Sequence, residues 1–123
     1  MLKEGLTHTS HTKVTTELTA AHMQSGDMPV LATPALVALM ENAAMLAVAE
    51  HLPDGATTVG GNIATSHLRP SALGSDVEAT ATLTQIDGKK LFFDVKAYMG
   101  EVLIGEGTHL RFIVDRDKFL SRL

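Results

Sequence analysis

A chain of 123 residues, 45% of them hydrophobic and 20% charged, has the length and composition of one ordinary globular domain. Its net charge of −4, with only 10 scattered Lys and Arg, argues against electrostatic binding of nucleic acid. Cysteine is absent, which excludes a disulfide framework, a thiolate nucleophile and a cysteine-based metal site, and fits a reducing compartment. The opening "MLKEGLTHTS" lacks the continuous apolar core of a signal peptide. The apolar run over 34–49 falls short of the roughly 20 residues a bilayer requires. The expectation is a cytoplasmic protein with one domain over 1–123 and no membrane partner.

In chain order, residues 6–18 are rich in Thr and weakly alternating, and read as a strand. Gly26, Asp27 and Pro29 make 19–32 a loop or short helix. Thr33-Pro34 then signals a helix start, with Thr33 as the cap and Pro34 in the first turn. The helix runs to about His51 and stops at Pro53-Asp54-Gly55. It is apolar nearly all round, so it needs cover on most sides, more than one small layer supplies, and this points to an oligomer.

The remainder reads as β. Residues 56–68 form a glycine-containing strand. In 75–85, Val77, Ala79, Ala81 and Leu83 alternate with polar residues. Asp87-Gly88 is a hairpin signal. In 90–99, Leu91, Phe93, Val95, Ala97 and Met99 share a face. Gly100 turns the chain into a last strand over 101–114. One long helix wrapped by a curved antiparallel sheet of about five strands satisfies both the helix and the alternation, an α+β hotdog architecture.

Few residues carry chemistry. Glu41 is the sole charge between 34 and 49. It is part of a thin polar strip, a cap or bridge at a subunit contact, or a general base or nucleophile whose basicity burial raises. Thr33 caps the helix or, at the same dipole end, meets a substrate oxygen. Thr33 and Glu41 lie about 12 Å apart along the helix axis and cannot touch. His67 ends a strand before a loop with Pro70 and Gly74, as a surface histidine or as an acid–base group at the sheet rim. Gly60 and Gly61 mark a bulge or a close approach to the backbone, such as a carbonyl accepting an N–H. His8 and His11 face opposite ways on a strand, and no metal is expected. No phosphate loop or serine elbow is present.

Three segments, "LATPALVALMENAAMLAV", "VGGNIATSHLRPSALGSDVEATATL" and "IGEGTHLRFIV", resemble the hotdog-fold thioesterase superfamily, and within it the fluoroacetyl-CoA thioesterase type. The resemblance runs over roughly 30–119. It implies an acyl-CoA thioesterase, free of cofactors, working as a homodimer with sites between subunits. It assigns catalysis to Thr33, Glu41 and His67, with His67 supplied by the partner chain. Gly60 would bind the thioester carbonyl, with Gly61 and Arg69 at the substrate. Arg69, Lys89 and Lys90 are the cations nearest the site for the polyanionic CoA, and His109 takes a structural role. Phenylalanines that form a lid before the helix in that type are missing from "SGDMPVLAT", where Asp27, Met28 and Leu31 stand. The expected substrate is therefore a more general acyl-CoA. The rivals are a hotdog dimer that binds acyl-CoA or a small acid without turnover, and a hydratase or dehydratase, against which the lack of Asp in 34–51 counts.

Overall fold

The computed structural model describes residues 1–123. Strand β1 (Thr7–Lys13) leads through a turn of 3-10 helix and the short helix α1 (Ala20–Met23) to the long helix α2 (Thr33–Ala49). Strands β2 (Ala56–His67), β3 (Asp76–Asp87), β4 (Lys90–Met99) and β5 (Val102–Asp115) follow, and helix α3 (Arg116–Ser121) closes the chain. The sheet order is β1-β3-β4-β5-β2, antiparallel throughout. Helix α2 lies against one face of the sheet, contacting all five strands, chiefly β3 and β1.

The period of two sets this face. Val77, Ala79, Ala81 and Leu83 from β3 and Leu91, Phe93, Val95 and Ala97 from β4 are all buried against the helix. The hairpin falls at Asp87–Gly88 as expected, with Gly88 at φ +59°. Small residues at Ala35, Ala43, Ala44 and Ala47 let α2 approach the strands closely, while Leu36, Met40 and Val48 fill the space between.

Three expectations need correction. The first strand ends at Lys13 rather than Leu18, because Val14 turns into the core and Thr16–Leu18 coil into the 3-10 turn. Helix α3 was not expected. Its start is nonetheless written in the sequence, since the Asp115 side chain accepts the Lys118 N–H at 3.0 Å as an N-cap. Third, the sheet covers only one side of α2. Pro34, Ala38, Leu46 and Ala49 on the other side are exposed, and Val37 and Met45 are half-exposed. No helix is long and apolar enough to cross a membrane.

Candidate active site

The expected site residues fall into two clusters along β2, one at its C-terminal end and one around Gly60. At the first, Thr33 is not the helix cap. Ala32 occupies that position without a side-chain cap bond, which leaves the Thr33 hydroxyl free. That hydroxyl meets His67 Nδ1 of the same chain at 2.8 Å, not a partner's histidine as expected. Burial lowers the pKa of His67, and the Arg69 carbonyl opposes the shift without a well-formed hydrogen bond to Nε2, which is shielded from solvent and unpartnered. A shallow cavity of about 310 Å³ opens here, lined by Thr33, His67, Arg69, Leu31 and Pro70 among others. Leu31 is a core residue, whereas Met28 stands 62% exposed on the segment before the helix.

The second cluster surrounds Glu41. Its carboxylate is not enclosed, because 41% of the side chain is exposed in the single chain. It lies 3.7 Å from Arg111 Nη1. It also lies against Gly60, where an added Cβ would stand 2.9 Å from Oε2. Glycine at 60 is thus a steric condition for the carboxylate to occupy this place. The expected bulge is present too: the β2–β5 register shifts between Gly60 and Asn62, leaving Gly61 unpaired. The Gly61 backbone is crossed by the Phe112 ring, which a Cβ there would overlap, so Gly61 faces away from the substrate position expected of it.

Behind Glu41 lies a buried network that sequence reading missed. Arg111 is 6% exposed and His109 is 3% exposed. The Arg111 guanidinium donates to Thr58 Oγ1 at 2.8 Å and to the Thr58 carbonyl at 3.0 Å. Its Nη1 lies 3.2 Å from His109 Nε2, and His109 Nδ1 lies 2.7 Å from the Asn62 carbonyl. A carbonyl only accepts and a guanidinium only donates, so His109 carries its proton on Nδ1 and is neutral. Burial lowers its pKa most, the Asn62 bond opposes this, Arg111 lowers it further and Glu41 raises it. Burial also lowers the pKa of Arg111, with Glu41 pulling the other way. The network holds a cation fixed beside Glu41, and the structural role expected of His109 becomes a definite one: it orients Arg111. The one signal available in the sequence was the pair of inward polar residues, His109 and Arg111, on a strand otherwise apolar on that face.

The His109 arrangement predicts a pH response. Its folded-state pKa is depressed below the ordinary 6.5, so the unfolded chain takes up a proton first as pH falls. His109 should titrate below pH 6.5 by NMR. Its contribution to stability should begin to be lost near pH 6.5 and continue down to the folded-state value. A His109 midpoint at or above 6.5 would contradict the assigned tautomer and partners.

The long helix on a five-stranded antiparallel sheet is shared with solved thioesterases. The fluoroacetyl-CoA-specific thioesterase FlK aligns with a TM-score of 0.91 at 30% identity, covering 99% of this chain and 95% of that one. A variant of that enzyme in complex with acetyl-CoA aligns at 0.92 and 29% identity, over 98% and 96%. A hypothetical protein of Thermus thermophilus, described as a thioesterase superfamily member, aligns at 0.90 and 27%, over 99% and 90%. The protein is a thioester hydrolase of the hotdog fold. The model of the fluoroacetyl-CoA-specific thioesterase family matches residues 14–117, and the chain belongs to that family. The fluoroacetyl-CoA thioesterase of Streptantibioticus cattleyicolor is 35% identical over 94 residues, 76% of this chain and 68% of that protein.

Proposed function

We propose that the protein hydrolyses an acyl-CoA thioester to a free acid and CoA, in two sites that each combine Glu41 and Gly60 of one copy with Thr33 and His67 of another. One observation carries this reading: a single chain separates the two clusters. Along β2, Gly60 and His67 lie about 20 Å apart by strand rise, and both face the helix. Strand β2 is also a free edge of the sheet. A two-fold axis near Ile63–Ala64 that pairs β2 with its copy would put His67 of one chain opposite Gly60 of the other, on the same face. Each half-site then completes the other. The same dimer would cover the exposed apolar side of α2, which explains a helix apolar nearly all round.

In the assembled site the Gly60 N–H polarises the thioester carbonyl. Glu41, held by the Arg111 network, takes the proton of an attacking water, or attacks the carbonyl carbon to give an acyl-enzyme that water then hydrolyses to the free acid. The Thr33 hydroxyl orients the reacting oxygen or the His67 ring. His67, kept neutral by burial, relays to the departing thiolate a proton that originates in the water consumed by hydrolysis, so that the thiolate leaves as CoA-SH. With no phenylalanine in 25–33, the segment before the helix supplies no aromatic lid, and this favours acyl groups broader than fluoroacetyl.

A panel of acyl-CoA esters, followed with a thiol reagent, tests the activity. The expected result is release of free thiol from at least one ester. Thermal stabilisation by acyl-CoA without thiol release would instead establish a binding protein.

A further inference from the structure

On the face of the sheet opposite α2, the C-terminal helix α3 and the β3–β4 turn enclose a cavity of about 520 Å³. Its walls include Val59 and Phe112 from the paired strands and Phe119 from α3. Lys89, Lys118 and Arg122 stand around it, three of the ten basic residues in a chain of net charge −4. None of the three side chains makes a salt bridge, since the ion pairs of the chain are His11–Glu78, Lys13–Asp76 and Arg111–Glu41. The one carboxylate in the wall, Asp115, is engaged in capping α3. The turn is held in place by the Ile113 N–H donating to the Lys89 carbonyl at 2.9 Å, which brings Lys89 toward α3.

We propose that this cavity binds the 3′-phosphorylated ADP end of CoA. An unpaired cluster of cations beside two phenyl rings matches a ligand with three phosphates and a purine. The position fits as well. Val59, in the wall, is the neighbour of Gly60, which abuts Glu41. The inference rests on the thioesterase reading above, in which the partner's β2 ends at His67, opposite Gly60. The edge of β2 from Ala56 to Val59 then stays open. The pantetheine arm passes around that edge, from the reacting carbonyl on the helix side to the nucleotide on the outer face. Arg69 was expected to meet CoA, but it lines the cavity beside Thr33 and His67, and Lys90 lies outside the cavity walls. Of the cations expected at CoA, Lys89 alone reaches this one.

Calorimetric titration with CoA tests the site, using wild type, the double variant Lys118→Glu/Arg122→Glu, and a control of equal charge change, Lys3→Glu/Lys96→Glu. The double variant should bind CoA at least about tenfold more weakly, and the control should stay within about twofold of wild type. The ratio of kcat/KM for an acyl-CoA to that for the matching N-acetylcysteamine thioester, which lacks the nucleotide, should fall by a similar factor. Wild-type affinity for CoA in the double variant, or no binding by wild type, overturns the assignment. An unchanged ratio in an active enzyme overturns the pocket and leaves the thioesterase reading standing. CoA binding that depends on these cations, with no ester hydrolysed, sinks that reading and keeps the pocket.

Discussion

Glu41→Gln should lower turnover of the best acyl-CoA by about 10³-fold, the scale on which a general base or nucleophile acts. The amide keeps the shape of the carboxylate and can still sit against Gly60. It cannot take a proton from water or form an acyl-enzyme. The variant should stay folded, because the side chain is 41% exposed and its ion pair with Arg111 is long at 3.7 Å. A pair of that length and exposure contributes less than about 1 kcal/mol. Steady-state rates beside a melting curve separate the two effects. Turnover within about tenfold of wild type would remove Glu41 from the chemistry.

Arg111→Met should have the largest effect on stability. Methionine fills similar volume but donates nothing. His109 Nε2, Thr58 Oγ1 and the Thr58 carbonyl would lose their donor inside the protein. Leaving buried acceptors unpaired should cost about 2–4 kcal/mol, read from urea denaturation. Turnover should fall as well, since Glu41 loses the cation that fixes its place. A stability change under about 1 kcal/mol would mean that water replaces the guanidinium without loss.

The fold was largely legible because its signals are local. The alternation in 75–85 and 90–99 and the Asp87-Gly88 turn each specify one element without reference to the rest. The site was legible in its residues but not in its grouping. Thr33 before Pro34 looks like a cap, and only the return of β2 beside the helix start shows that its hydroxyl faces His67. Glu41 looked enclosed because α2 is apolar on two sides, and a linear pattern does not tell a face meant for the sheet from a face meant for another copy. His109 and Arg111 escaped notice as a unit because their partners, Asn62 and Thr58, come from the β2–β5 register, which no local signal in the sequence reports. Helix α3 is too short for periodicity to register, although Asp115 and Lys118 stand at capping distance.

The shared site is the central claim, and mixing two inactive variants tests it most directly. Glu41→Gln and His67→Ala chains are each expected to form inactive dimers. Co-expressed with distinct tags and isolated as heterodimers, they would unite Glu41 of one chain with His67 of the other in one of the two sites. The heterodimer should recover about half of wild-type activity, and an unselected mixture about one quarter. Heterodimers as inactive as their parents would show that Glu41 and His67 act within one chain, and would contradict the account.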